Sequence, residues 1–130
     1  MPTAPGAAPT ALWQASSIAG DRYYATPLVH DGLVYAINQA KNLTVLEAAT
    51  GKRVYERKLE HIDGIVYPSQ TLGGQNIYIS GEKGSTLVLK PGREYAEVAR
   101  NSLEPFRSCP VFIGKRMYLR GRQNLWCIGE

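Results

Sequence analysis

The feature that most constrains this chain is an internal repeat. The segment TPLVHDGLVYAINQAKNLTVLEAATGKRVYERKL (26–59) is followed, at an offset of 43, by SQTLGGQNIYISGEKGSTLVLKPG (69–92). Val34 and Tyr35 align with Ile77 and Tyr78, and Val45 and Leu46 with Val88 and Leu89. A further 40 residues on, CPVFIGKRMYLRGRQNLWCIG (109–129) aligns again, with Pro110 answering Pro27, Tyr118 answering Tyr78 and LWCI (125–128) answering LTVL (43–46). LWQ at 12–14 lies 42 residues ahead of VYE at 54–56, which makes Trp13 the counterpart of Tyr55. Such a chain is a row of similar units, each burying its apolar faces against its neighbours.

Each unit reads as four short strands. In the first these are 26–30, 33–37, 43–47 and 53–59, with Asp31-Gly32 as a two-residue hairpin turn between the first pair. The turn AATGK joins the last two strands, with Gly51 supplying the positive φ it needs. Thirteen glycines and eight prolines, against two phenylalanines and two methionines, agree with many turns and little helix. A period of 40–43 residues is the spacing of four-stranded propeller blades. The expected fold is therefore all-β: β-propeller blades of four antiparallel strands, about three to the chain. The boundaries read as a flexible Pro/Ala/Thr-rich lead at 1–10 and a lone fourth-type strand at 11–16. Blades follow at 26–59 and 65–101, and a last one at 107–130 lacks its fourth strand.

LEAATGKRVY (46–55) resembles the repeat signature of the quinoprotein-like (PQQ-like) β-propeller family, in which an aromatic, usually Trp, follows the Thr-Gly-Lys turn. TPLVHDGLVYA is similar to that family's first hairpin, and SCPVFIGKRMYLRGRQNLWCIG resembles its last blade. The resemblance covers roughly 11–130 and implies the scaffold of exported bacterial repeat proteins, some of which act in outer-membrane protein assembly. It would place such a chain in the periplasm or another extracytoplasmic compartment. One branch consists of PQQ-dependent dehydrogenases, which carry a vicinal cysteine pair, a calcium-binding Glu/Asn/Asp set and a catalytic Asp. This sequence offers no match to those residues, so the expectation is no cofactor and no enzyme. The alternative is a piece of such a dehydrogenase whose cofactor residues lie on other blades.

One lone strand, two whole blades and one three-stranded blade add up to three blades' worth of strands, whereas propeller rings have ~4–8 blades. Two resolutions stand open. Two copies could close a six-bladed ring, each lending its Trp13 strand to the other's last blade; alternatively the chain is part of a longer propeller. Either way its expected partners are further blades. The sequence contains no run of ~18 apolar residues and no basic stretch leading into an apolar core, so it reads as carrying no membrane-inserting segment and no signal peptide.

The chemistry-bearing residues are few. His30 and His61 sit beside Asp31 and Asp63 in turn and loop contexts, where a surface role is the plain expectation and acid–base work the sharper one. Cys109 and Cys127 lie in apolar strand-like runs and read as two buried free thiols, with a disulfide as the alternative. The net charge of +4 is uneven: residues 66–130 hold nine basic and five acidic side chains, and 105–129 hold Arg107, Lys115, Arg116, Arg120 and Arg122 with no acid. Loops on a rigid scaffold are where binding residues collect. The loops NQAKN, GEKGS and RGRQN are expected on one rim, carrying Lys41, Lys83, Arg120 and Arg122 as a candidate surface for an anionic partner. The aromatics look committed to packing, which reads against nucleic acid.

Overall fold

A computed structural model describes residues 8–15 and 23–129, so the expected lead at 1–7, the end of the expected strand at 16 and residue 130 lie outside the described residues. Eleven strands form three antiparallel sheets, and the described residues contain no helix. The first sheet is β1 (Leu28–His30), β2 (Leu33–Ile37), β3 (Asn42–Glu47) and β4 (Arg53–Lys58), in that spatial order. The second repeats it with β5 (Thr71–Gly73), β6 (Asn76–Ser80), β7 (Ser85–Leu89) and β8 (Glu97–Ser102). The third holds β9 (Val111–Ile113), β10 (Arg116–Arg120) and β11 (Leu125–Gly129), with β11 as an open edge.

The strands follow from the alternation in the sequence, and the turns from their glycines. Asp31 and Gly32 take φ of 46° and 72°, the two positive values of a type I′ hairpin whose twist matches the strands it joins. Both complete sheets carry a bulge at the same repeat position. The register slips between Val45 and Leu46 opposite β4, and between Val88 and Leu89 opposite β8.

The core lies between the first two sheets. Leu33, Tyr35, Ile37, Leu43 and Val45 from one face meet Ile77, Ile79, Leu87 and Leu89 from the other, with Leu59, Ile62 and Val66 from the connecting segment. Tyr55 packs against this cluster from β4, and burial among Tyr35 and Tyr95 pushes its hydroxyl up to about 12. Between the second and third sheets the packing is looser. The cross-strand pair Ile37–Leu43 of the first sheet has as its repeat counterpart Ser80–Thr86, whose hydroxyls bond each other at 2.8 Å. Beside that smaller, polar pair lies a cavity of about 280 Å³, with Tyr78, Met117 and Leu119 in its walls. Tyr78 and Phe112 close another part of the interface, ring centroids 4.7 Å apart.

Residues 11–15 form no strand within the chain. Trp13 nevertheless has a fixed seat on the turn between β3 and β4. Its indole Nε1–H donates to the Ala48 carbonyl at 2.9 Å, and its ring lies so close over Gly51 that an added Cβ would come within 2.5 Å of Trp13 Cε3. Gly51 also holds φ of 71°, so this position needs glycine twice over.

The cysteines depart from expectation: Cys109 and Cys127 are free, and both are exposed rather than buried. Cys127 lies on β11, which no further strand covers among the described residues, and shares its sheet face with Tyr118 across the ladder. Cys109 precedes β9 and accepts the Ser69 N–H on its sulfur at 3.2 Å.

The unequal interfaces predict unequal costs of truncation. Leu43→Ala should destabilise the chain by about 2–5 kcal/mol, the range for a fully buried leucine. At the same repeat position Thr86→Ala, beside an existing void, should cost about 1 kcal/mol. Urea unfolding of the two variants measures the difference.

Candidate functional site

Four loops meet on the rim that carries the connections between the second and third strand of each blade. Residues 81–84 link β6 to β7, 103–110 link β8 to β9, and 121–124 link β10 to β11; the fourth, 62–65, lies before β5. Backbone hydrogen bonds tie them into one piece. Glu82 N–H donates to Ile65 O (2.9 Å), Leu103 N–H to Gly84 O (3.1 Å), Phe106 N–H to Glu82 O (3.2 Å) and Arg122 N–H to Pro105 O (2.9 Å). The Ser108 hydroxyl adds a bond to Arg120 O at 2.7 Å. Gly84, at φ 100°, permits the close passage of 103–104: a Cβ there would collide with the Leu103 carbonyl.

Three of these loops, 81–84, 103–110 and 121–124, with Arg120 at the end of β10, line an open cleft of about 700 Å³ that carries Lys83, Arg107, Arg120 and Arg122 together with Pro105 and the buried Phe106. Three of the four cationic residues expected to cluster on this rim, Lys83, Arg120 and Arg122, therefore share one cavity. Lys41 does not line it. Its ammonium donates to the Ile62 carbonyl at 3.0 Å, and its backbone at φ 68° shapes the loop before β3. Arg107 takes a place in the cleft instead. Its Nε and Nη2 both reach Glu82 Oε2, at 3.2 and 2.8 Å, while its guanidinium lies 4.4 Å from the Tyr67 ring, which in turn stacks on Tyr24. The Glu82 pair raises the Arg107 pKa further above its ordinary value. Lys83, Arg120 and Arg122 have no ion pair among the described residues.

Glu104 latches the loop beneath. Its carboxylate accepts from Gln123 N–H (2.8 Å), Asn124 N–H (3.0 Å) and Trp126 Nε1–H (2.6 Å). Burial pushes this carboxyl up, but the bonds from Trp126, Gln123 and Asn124 outweigh burial and leave it below its ordinary value. Neither Glu82 nor Glu104 stood out in the sequence, because their partners lie about 20 residues away with no periodic signal.

The histidines stay apart. His30 Nε2 lies 3.3 Å from Asp31 on the exposed first hairpin. His61 lines a separate shallow pocket with Arg57, Tyr95, Glu97 and Arg100, away from Asp63, whose backbone N–H donates to Ser85. Among the described residues no three His, Cys, Asp or Glu side chains gather as a metal site. The chain's two cysteines are not vicinal.

The Glu104 latch carries a pH dependence of defined sign. A carboxyl with a lowered folded-state pKa contributes stability above its unfolded value and loses that contribution as pH falls through the folded value. The Trp126 indole N–H resonance should therefore hold its position at neutral pH and shift in acid, below the ordinary carboxylate range. In Glu104→Gln it should show no such acid transition.

No known family pattern matches the sequence, and no curated protein matches it. Among solved structures, the chain is similar to BamB from Moraxella catarrhalis, with a TM-score of 0.68 at 14% identity over 85% of this chain. The match spans 34% of that protein's chain, about a third of its length. The two share a fold, and the three sheets of this chain are β-propeller blades.

Proposed function

We propose that the chain is a non-enzymatic β-propeller module, a scaffold for binding, and that two copies close a six-bladed ring by exchanging their Trp13 segments. The observation that carries this reading is the seat of Trp13. The side chain docks on the turn between β3 and β4 of the first sheet, yet residues 11–15 have no ladder of their own. β11 offers the complementary open edge.

The outer face of the third sheet supports the same reading. Val111, Ile113 and Leu125 are 56%, 66% and 71% exposed on the face that, in the first two sheets, packs against the next blade; Leu12 beside Trp13 is 90% exposed. Apolar surface of that kind marks an interface. Thr26 N–H donates to Ser69 Oγ and Ser69 N–H to Cys109 Sγ, one step per blade at equivalent repeat positions. In a closed ring the next step falls to Thr26 of the second copy.

Light scattering on a size-exclusion peak tests the ring. The expected result is twice the chain mass for the whole chain, and the single-chain mass, with β-sheet circular dichroism retained, when residues 1–16 are deleted. A monomeric whole chain, or a dimer indifferent to the deletion, overturns strand exchange. A rise in Tm on adding pyrroloquinoline quinone with Ca²⁺ would overturn the scaffold reading in favour of part of a dehydrogenase.

A further inference from the structure

We propose that the rim cleft between the second and third sheets is a recognition site for an acidic peptide segment, with its carboxylates taken by Lys83, Arg120 and Arg122 and with Glu82 as the resident occupant of Arg107. All of its lining residues belong to one chain, although Arg120 is paired with Leu125 and shares the outer face of the third sheet that ring closure would cover.

Charge is the first argument. Three cations without ion partners among the described residues share one concavity, and the only acid on its walls, Glu82, is already engaged by Arg107. In a cleft with low-dielectric walls such cations attract an anion more strongly than on an open surface. The rim also displays the kind of group it holds. Glu82 sits on the Arg107 guanidinium, and Glu104 is cradled by the 123–126 loop, so two carboxylates of the chain itself are bound at its edges.

The same contacts argue against other anions. Loops often take a phosphate in a concavity of free backbone N–H groups. Here the N–H groups of Phe106, Arg122, Gln123 and Asn124 are all bonded within the chain. Single-stranded nucleic acid needs exposed rings for its bases. Phe106 is buried, and Tyr67 is sandwiched between Arg107 and Tyr24. What remains available is a set of dispersed side-chain cations beside the apolar surface of Pro105, which suits spaced carboxylates on a flexible peptide.

Glu82 gives the site a threshold. An incoming carboxylate competes with it for Arg107, so a ligand must supply several charges at once to displace it. Removing the internal carboxylate should raise affinity more than the change in net charge alone explains.

The test is fluorescence anisotropy of a fluorescein-labelled hepta-glutamate peptide with the whole chain at low salt. Saturable binding is expected, weakened about tenfold by Arg120→Ala and by Arg122→Ala, as the loss of a charge-assisted contact implies. Lys90→Ala, on the opposite rim, should change it less than about twofold, as expected of a screened distant charge. Glu82→Gln should tighten binding several-fold, whereas Glu94→Gln, an identical charge change on that opposite rim, should barely move it. Equal effects at both rims would reduce the result to net charge and overturn the proposal. Absence of saturable binding would do the same, as would displacement of the peptide by a single-stranded oligothymidylate or inorganic phosphate at lower concentration than by unlabelled hepta-glutamate.

Discussion

A small twisted sheet with apolar side chains on both faces cannot stay folded alone in water, and this constraint governs everything else in the chain. Tyr35, Ile37, Leu43 and Val45 are buried only because Ile77, Ile79, Leu87 and Leu89 face them from the neighbouring sheet. Each blade is a core for its neighbours, so stability passes along the row instead of residing in one centre. Wherever the row stops, an apolar face is left over, as Val111, Ile113 and Leu125 show on the third sheet.

The turn between β3 and β4 acts as the joint of this arrangement. From one side Trp13 docks on Ala48 and Gly51; from the other Arg93, in the corresponding turn of the second blade, reaches Glu47 at 2.5 Å. Glu47 also takes the Thr50 hydroxyl, and its backbone closes the turn through Lys52 O and the Gly51 N–H. The order of residues in LEAATGKRVY thus has a physical reading. A buried leucine anchors the strand and an acid ties two blades. A small residue frees its carbonyl for an indole, and a glycine clears space for the ring. Tyr55 then packs against the core between the first two sheets, near Tyr95 of the second blade's turn.

Much of this was legible because repeats and hairpins leave local signals. Asp31-Gly32, the alternation in LVYAI and NIYIS, and the offsets of 43 and 40 located all three sheets. The rim site was legible only in part. Lys83, Arg120 and Arg122 could be gathered by supposing that equivalent loops share a rim, but Lys41, in the matching loop, is turned onto the Ile62 carbonyl. Arg107, Glu82 and Glu104 join the cleft through contacts that cross blades, and no spacing encodes those. The cysteines misled for a related reason. An apolar run such as LWCIG signals a strand but says nothing of whether a neighbouring strand covers its edge.

The replacement of Ile37–Leu43 by Ser80–Thr86 has a consequence of a mechanical kind. The first inter-blade joint is filled and stiff, whereas the second contains a cavity and two hydroxyls bonded to one another, so it resists tilting less. A propeller that includes this chain would set one filled joint beside one compliant joint. The rim cleft spans the compliant one, so the bonds from Phe106 to Glu82 and from Arg107 to Glu82, and not apolar packing, hold its two walls together.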